Sequence, residues 1–498
     1  MDYGALLAAF AREEGPQGPA TRQHRLYACL RWAILGGKIA EGARLPSTRT
    51  LSVELGMARN SVLYAYEHLG AEGFLVGTRH GTVVASLGLA RDASAGHDAA
   101  HAPEALPLSR RASIPHGGPD EADRALPLWP GVPALDEFPL AAWRRCMERA
   151  WRSIDARQLN YAPVQGHLPL RQAIAQYLRV SRGVRCEAEQ VFITNGSQGA
   201  LELCARTLAD AGDTAWIENP GYPGARAALQ AADLRLVPIA VDAEGLAPGA
   251  EDWRATPPKL IYITPSHQYP LGAMMSLERR LALVRQAREA GAWLVEDDYD
   301  SEFRSDRVPL SAVQGLDAHA PAIYVGTFSK TMFPALRLGF TVVPAPVVPA
   351  LLGAIGATGM RGRLADQAAL ADFIGNGQFT LHLRRMRQLY ARRREALQAA
   401  LQRHLRGVVT VSGGAGGMHL SARLEAPVSD VDVSQAARKQ GLGLRPLGPF
   451  CLPGTAGALY NGFVLGYAGM PPERADELVR HMGRVIDQVS RAAASRPS

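Results

Sequence analysis

The hydrophobic and polar positions change their period along the chain. In the first 87 residues, apolar side chains recur mostly at helical spacing, and glycines follow each run. This pattern predicts three helices and then two short strands, at His24–Leu35, 47–56, Arg59–Ala71, Phe74–Val76 and Val83–Ala85. Ser47 is expected to cap the second helix, because its hydroxyl can accept a hydrogen bond from a free backbone N–H group. Three helices followed by a hairpin form a small α+β unit.

After Leu126 the pattern alternates between short apolar runs and helical segments. The apolar runs predict strands at Val191–Thr194, Thr214–Ile217, Leu234–Pro238, Leu260–Thr264, Trp293–Glu296, Ala322–Thr327 and Gly339–Val343. Strands separated by helices are typical of a three-layer α/β fold with a mainly parallel sheet. From Pro344 onwards, long helical patterns such as His382–His404 and Pro472–Val489 indicate a smaller α+β lobe.

Residues 88–126 separate these two patterns. They are rich in Ala, Pro, Gly, Ser and Asp, and they predict a flexible linker because they contain almost no large apolar side chains. Residues 1–19 are expected to form a weak helix or a loose arm. The sequence therefore predicts an arm at 1–19, a first domain at 20–87, the linker at 88–126, a large domain at 127–343 and a smaller C-terminal domain at 344–498.

Composition is that of an ordinary globular protein, with 498 residues, 47% hydrophobic, 20% charged and a net charge of +7. The positive charge is concentrated near the N-terminus, because the segment between Thr21 and Leu87 contains eight basic residues and only four glutamates. The five cysteines form no CxxC pair, so neither a disulfide framework nor a metal site is expected. The first residues lack the basic flank of a signal peptide, and no stretch is long and apolar enough to span a bilayer. A cytoplasmic protein that does not enter membranes is expected.

The first domain has residues that are typical of a DNA-binding domain. If its third helix enters the major groove, its early side chains Arg59, Asn60 and Ser61 would meet base edges, and Arg and Asn have the bidentate geometry for guanine and adenine. Arg49 would contact a phosphate, and Arg79 and His80 at the hairpin turn would contact the backbone or minor groove. The alternative is a set of amphipathic helices with a solvated basic face.

The second half carries residues that suit pyridoxal phosphate. Lys330 follows an apolar strand, where partial desolvation lowers the pKa of an amine and favours a Schiff base. Arg337 can bind a phosphate in a bidentate manner, and Thr327 and Ser329 add hydroxyl groups. The turn at 194–199, which contains Ser197 and Gln198, precedes a helix whose N-terminus suits a phosphate.

Three further side chains fit the cofactor ring. Asp297 follows a predicted buried strand and suits the pyridine nitrogen, although a surface acidic turn is the alternative. Tyr299 can donate to the phenolate oxygen. Tyr222 can stack on the ring, or it is simply a turn residue between two prolines.

The N-terminal pattern resembles the winged helix-turn-helix domain of the GntR superfamily. The later motifs resemble the fold-type-I aminotransferases, and together they resemble the MocR/GabR-like subfamily of GntR regulators. The resemblance covers about residues 20–87 and 127–490 and rests on YAPVQGHLPLR, TNGSQGAL, TPSHQYPLG, EDDYDSEFR, SKTMFPALRLG and LRRMRQLYARRR.

The resemblance implies an N-terminal winged helix-turn-helix and a C-terminal α/β aminotransferase-like domain with a smaller α+β lobe. Lys330 would hold pyridoxal phosphate, Asp297 its pyridine nitrogen and Tyr299 its phenolate oxygen. The phosphate would be surrounded by Ser197, Gln198, Thr327, Ser329 and Arg337. Family members are dimers, and Tyr161 would reach the phosphate of the neighbouring subunit. They act as transcription factors, and many respond to an amine, an amino acid or the cofactor itself.

Two residues depart from the aminotransferase pattern. Tyr269 precedes Pro270 where the enzymes usually have Asn, and Val464 stands where they carry an Arg for the substrate carboxylate. The residues Arg361, Arg363 or Arg445 could substitute for it. A regulator of double-stranded operator DNA with little turnover is therefore favoured. An active aminotransferase that carries a DNA-binding domain is the alternative, and a cofactor-free scaffold is a third hypothesis.

Overall fold

The structure is a computed structural model that describes residues 1–14, 21–79, 81–88, 109, 121–304, 311–359, 362–413, 416–455 and 460–495. The chain divides into two compact units, Met1–Pro107 and Leu108–Ser498. Within the described ranges, no helix combines the length and apolarity that crossing a membrane requires.

The described part of the first unit contains four helices and one antiparallel hairpin. They are α1 Tyr3–Glu14, α2 Arg22–Leu35, α3 Thr48–Glu54, α4 Arg59–Ala71, β1 Leu75–Thr78 and β2 Gly81–Val84. The Ser47 hydroxyl accepts a hydrogen bond from the Thr50 N–H group, which confirms the predicted cap of α3. Leu30, Leu51 and Leu69 from α2, α3 and α4 meet in one core.

The sequence allowed either a weak helix or a loose arm at the N-terminus, and the structure has a helix there. Tyr3 on α1 is buried against the core of the first unit, and its N–H group donates to Glu54. The Phe10 ring lies 5.5 Å from the ring of Trp32. Helix α1 is therefore packed on the first unit rather than a loose arm.

The second unit is built on an eight-stranded sheet with the order β3-β10-β9-β8-β7-β4-β5-β6. Its strands and the helices among them are α5 Leu140–Ser153, α6 Leu168–Arg182, β3 Val191–Thr194, α7 Gly196–Leu208, β4 Thr214–Asn219, α8 Pro223–Ala231, β5 Arg235–Asp242, β6 Gly245–Leu246, α9 Ala250–Ala255, β7 Leu260–Ile263, α10 Leu277–Glu289, β8 Trp293–Asp298, α11 Val313–Leu316, β9 Ala322–Thr327 and β10 Gly339–Val342. Strands β5, β4, β7, β8 and β9 run parallel, whereas β10 is antiparallel to both of its neighbours. The predicted three-layer α/β architecture is thus observed.

The rest of the second unit contains a four-stranded antiparallel sheet with the order β11-β12-β14-β13. Its elements are α12 Val348–Thr358, α13 Leu364–Gly375, α14 Gln378–His404, β11 Val409–Ser412, β12 His419–Leu424, α15 Asp430–Lys439, β13 Arg445–Pro446, β14 Gly462–Gly466 and α16 Ala475–Ala494. Residues 364–494 thus match the predicted smaller lobe in character, whereas α12 packs on the core of the large sheet through Leu351 and Ile355.

The end of the predicted linker is ordered. Residues Glu121–Ala125 form a short 3₁₀ helix, and the buried Asp123 carboxylate pairs with Arg438 at 2.7 Å. This ion pair connects the segment to the last residues of α15. Most of the remaining predicted linker lies outside the described residues.

Candidate functional site

The predicted cofactor residues meet at the carboxyl ends of β8 and β9. These strands are parallel neighbours, with Asp297 opposite Val325, and Lys330 follows β9 by three residues. Ligand sites of such sheets lie at the carboxyl ends of the strands, because loops of several strands converge there. The strand register therefore brings together two residues that are 33 positions apart in the sequence.

Lys330 has the properties of a nucleophilic amine. Its ammonium group donates a hydrogen bond of 2.7 Å to the carbonyl oxygen of Gly131. Burial lowers the pKa of Lys330 to about 8; Asp300 opposes this shift, and the positive charges of Arg124 and Arg445 add to it. A lowered pKa leaves more of the amine neutral near physiological pH, and only the neutral amine attacks a carbonyl.

Asp297 has one carboxylate oxygen with a partner and one without. Its Oδ2 accepts a hydrogen bond of 2.9 Å from the Tyr262 hydroxyl, and its Oδ1 is buried without a partner among the described residues. Burial raises the pKa of Asp297 to about 7. A buried acceptor that lacks a donor fits the protonated ring nitrogen of pyridoxal phosphate, which would supply both a hydrogen bond and a positive charge.

The predicted phosphate-binding residues Arg337 and Ser197 lie at the N-terminus of α7. The Arg337 guanidinium carbon lies 4.0 Å from the position that a Cβ on Gly196 would occupy. Within the described ranges, no hydrogen bond or ion pair occupies this guanidinium, and Ser197 is half-buried in the first turn of α7. Free backbone N–H groups and a guanidinium together suit a phosphate.

The other predicted phosphate residues lie around the same turns. Thr327 is buried at the end of β9, and its hydroxyl accepts a hydrogen bond of 3.2 Å from the Ser329 N–H group. The Gln198 side-chain amide donates to the Gly224 carbonyl at 3.0 Å, so this amide ties α7 to α8.

Two tyrosines border the site. Tyr222 directly precedes α8, and its pKa is raised to about 12 by burial and then by the nearby charge of Asp297. The Tyr299 hydroxyl donates to the His267 carbonyl at 2.9 Å. Its predicted role towards a phenolate oxygen stays a prediction, since in the structure this hydroxyl is held by His267.

A buried cluster of His267, Asp300 and His419 was missed by the sequence analysis. Their ligand-type atoms lie within 4.8 Å of one another, and His267 Nδ1 lies 3.1 Å from both Asp300 oxygens. Burial, and then the neighbouring His267, lower the pKa of His419 to about 3. His267 and Asp300 also line a small cleft, together with Arg304. The three residues belong to separate loops and strands, so no local motif indicates their proximity.

A buried ion pair supports the end of β8. Arg182 Nη2 lies 2.7 Å from Asp298 Oδ2, and both side chains are almost completely buried. Asp298 therefore has a compensated charge, whereas none of the described cations forms an ion pair with its neighbour Asp297. The two adjacent carboxylates are thus in opposite electrostatic situations.

Some predicted residues are not brought to this site. Tyr161 is 91% exposed, and the described protomer gives it no cofactor-site contact. Arg363 forms an exposed ion pair of 3.1 Å with Asp366, and Val464 is buried in an apolar cluster. His80 and Arg361 lie outside the described residues.

The predicted DNA-contacting side chains lie on the surface of the first unit. Arg49 in the first turn of α3 and Arg59 and Asn60 at the start of α4 are exposed, and Ser61 is half-buried. Arg59 Nε donates to the Thr48 hydroxyl at 3.3 Å. Arg79 is exposed in the turn between β1 and β2. These side chains are available to a partner.

Comparison with known proteins identifies relatives along almost the whole chain. The family model for aminotransferase class I and II matches residues 131–482. The chain is 42% identical over 466 residues to a probable rhizopine catabolism regulatory protein MocR of Rhizobium meliloti, with 92% of each chain covered. It is 32% identical to the HTH-type pyridoxine biosynthesis transcriptional regulator PdxR of Corynebacterium glutamicum, with coverage of 93% of this chain and 95% of the relative.

Among solved structures, α-aminoadipate aminotransferase of Thermus thermophilus superposes with a TM-score of 0.70 at 27% identity, covering 77% of this chain and 98% of the enzyme. That enzyme was solved with a phosphopyridoxyl-leucine compound. Together with the orphaned oxygen of Asp297 and the lowered pKa of Lys330, this likeness makes pyridoxal phosphate the cofactor of the second unit. The chain therefore belongs to the MocR/GabR-like subfamily of GntR transcriptional regulators, and its residues 131–482 belong to the class I and II aminotransferase family.

Proposed function

We propose that this protein is a DNA-binding transcriptional regulator whose aminotransferase-like domain senses an amine, an amino acid or pyridoxal phosphate itself. Residues 20–87 would bind the operator, and residues 88–126 would connect them to the sensing domain at 127–498. The observation that carries the proposal is the presence in one chain of an exposed Arg59–Asn60 pair at a helix start and of Lys330 beside Asp297.

The first unit supports the winged helix-turn-helix interpretation. Helices α3 and α4 follow one another closely, and the α4 N-terminus carries the exposed Arg59 and Asn60. The hairpin β1–β2 follows α4 and presents Arg79 at its turn, as a wing does. A helix that reads bases needs its first residues free, while flanking cations contact phosphates.

The second unit supports cofactor binding through its own residues. Lys330 would hold the cofactor covalently, Asp297 would keep the ring nitrogen protonated, and Arg337 with the α7 N-terminus would bind the phosphate. Bound there, pyridoxal phosphate supplies an electrophilic carbon that exchanges amines. An effector amine would compete with the Lys330 amino group, and it would act on DNA binding only if it favours one of two conformations of the protein.

A second copy of the chain fits the exposed apolar side chains of the second unit. Trp151, Leu159 and Tyr161 are 59%, 71% and 91% exposed. Large exposed apolar groups are typical of interaction surfaces where they form a contiguous patch. A homodimer in which Tyr161 faces the neighbouring cofactor site would cover them.

An active aminotransferase is the second candidate, because this chain covers 98% of a solved aminotransferase. Val464 disfavours it, since this residue leaves β14 without the cation that such enzymes use for the substrate carboxylate. An amino-acid/keto-acid exchange assay separates the two. Rapid turnover supports the enzyme, and its absence together with effector-dependent DNA retention supports the regulator.

The proposal is tested with full-length protein and its own upstream DNA. Retention of DNA in the presence and absence of candidate amines is compared for the wild type, Arg59→Ala and Lys330→Ala. Arg59→Ala should weaken retention and keep the effector response of the cofactor spectrum. Lys330→Ala should keep DNA binding and lose the response to amines. Wild-type protein that retains no upstream DNA would overturn the proposal.

A further inference from the structure

The small sheet has an apolar residue at the place where the enzymes carry a cation. Val464 lies on β14, is completely buried and packs with Leu447 and Phe450. It therefore offers neither charge nor hydrogen bond to a bound acid. If an effector carries a carboxylate, another element must supply its partner, because a buried acid group without one is strongly destabilised.

The neighbouring strand places a guanidinium at the same position of the sheet. Arg445 on β13 is the cross-strand partner of Val464 in the antiparallel pair. Directly opposite residues project from the same face of a sheet, with Cβ atoms about 5 Å apart. The positive charge that is absent from β14 is thus present one strand away, on the same face.

The Arg445 guanidinium is held by aromatic groups and is not neutralised. Its central carbon lies 4.7 Å from the centre of the Phe450 ring and 5.9 Å from that of Trp129. Its Nη1 donates a long hydrogen bond of 3.4 Å to the Tyr269 hydroxyl. Among the described residues, no carboxylate forms an ion pair with it. A guanidinium has five N–H donors, and the described residues accept one hydrogen bond from this one.

Arg445 also lies close enough to the reactive amine to contribute to the lowering of its pKa. Trp129, which it contacts, precedes Gly131 by two residues, and the Gly131 carbonyl accepts the hydrogen bond from Lys330. Arg124 is the other cation that acts on Lys330, and it is exposed. Arg363 is neutralised by Asp366, which leaves Arg445 as the described half-buried cation in a position to meet a molecule bound at Lys330.

We propose that Arg445 is the anion subsite of the effector site, and that the effector is a small molecule with both an amino group and a carboxylate. The amino group reacts at the Lys330 position, and the carboxylate binds the Arg445 guanidinium in a bidentate manner. The inference deepens the proposed function, because it names the effector's chemical class and depends on cofactor binding at Lys330.

The test compares matched compounds that differ in the acid group alone. Full-length protein loaded with pyridoxal phosphate is titrated with alanine, β-alanine, alaninol and 3-amino-1-propanol while the cofactor absorbance is followed. A charge-assisted hydrogen-bonded pair should make at least one amino acid about tenfold more effective than its matched alcohol. Arg445→Gln should reduce this preference to about twofold or less, and Arg445→Lys should retain part of it.

Arg124→Gln is the matched control, because it removes a cation that also acts on Lys330. This variant should keep the preference for acids. Equal response of the wild type to acids and alcohols, or an unchanged preference in Arg445→Gln, would overturn the inference while leaving cofactor binding intact. A wild-type band that responds to none of the four compounds overturns it as well, whereas a protein without any cofactor band instead refutes the proposed function.

Discussion

Replacing Asp297 by asparagine should stabilise the cofactor-free protein and weaken its hold on the cofactor. Burial raises the pKa of Asp297 from 3.8 to about 7. Between these values the folded protein keeps a proton that the unfolded chain has released, so stability falls as pH rises, and the loss is complete above about pH 7. At about 1.4 kcal/mol per pKa unit, the full loss is about 4 kcal/mol.

Asparagine avoids this loss because it carries no charge, and its amide oxygen can still accept the hydrogen bond from Tyr262. At about pH 5 the wild type has lost only about 1.6 kcal/mol, so the advantage of Asp297→Asn should grow by about 2–3 kcal/mol towards about pH 8. The effect of Asp297→Asn on cofactor affinity is the opposite of its effect on folding stability, because the variant should bind pyridoxal phosphate more weakly. Loss of a charge-assisted hydrogen bond should weaken cofactor binding by about 10–100-fold.

The assay is urea denaturation of the full-length, cofactor-free protein, followed by fluorescence, since six of the seven tryptophans follow residue 126. Asp298→Asn is the matched control. It removes the partner of the buried Arg182 and should destabilise the protein by about 3–5 kcal/mol. The reasoning is refuted if Asp297→Asn shows no gain in stability at about pH 8, or if both variants behave alike.

Three further outcomes are expected. Lys330→Ala should remain colourless when pyridoxal phosphate is added, whereas the matched Lys439→Ala, at an exposed helix end, should keep the absorbance band; a band in the first variant contradicts the assignment. The rate of cofactor capture by the cofactor-free protein should rise with pH through about 8, because burial lowers the pKa of Lys330 to about 8 and only the neutral amine attacks; a midpoint above 10 in stopped-flow traces argues against a desolvated amine. Arg59→Ala should weaken operator binding by about 1–3 kcal/mol in a retention assay with no change in the cofactor spectrum, and equal affinity would remove Arg59 from the interface.

The proximity of several candidate cofactor residues could be predicted from the sequence, because the ends of apolar strands can be recognised in the sequence. Asp297 and Lys330 each follow an apolar run, and the ends of neighbouring parallel strands converge. The glycine turn before α7 likewise predicted a helix N-terminus, and Arg337 lies beside it. For these residues, a local sequence pattern and a general rule of sheet topology are sufficient to predict that they lie close together.

The remaining features depend on contacts between distant segments. His267, Asp300 and His419 come from three separate places in the chain, and none has a neighbour in sequence that indicates a cluster. The register that places Arg445 opposite Val464 follows from the pairing of β13 with β14, and 18 residues separate the two. Register between non-adjacent positions is fixed by packing on both faces, and a single sequence does not display it.

The sequence predicts that the Tyr299 hydroxyl donates to the cofactor, whereas in the structure this hydroxyl donates to another residue. Its position after β8 places it in the site, as expected, but its hydroxyl donates to the His267 carbonyl. His267 is in turn held by Asp300 at 3.1 Å. The orientation of Tyr299 therefore depends on a buried pair that lies outside its own motif.

The protein is expected both to bind the cofactor and to change its DNA binding in response to the cofactor. The most direct measurement titrates pyridoxal phosphate, and then an amine, into a single sample of full-length protein with its own upstream DNA, while absorbance and DNA retention are recorded together. We expect the retention of DNA to change over the same concentration range as the absorbance. Protein that stays colourless, or DNA retention that is indifferent to a fully developed absorbance change, would contradict the account.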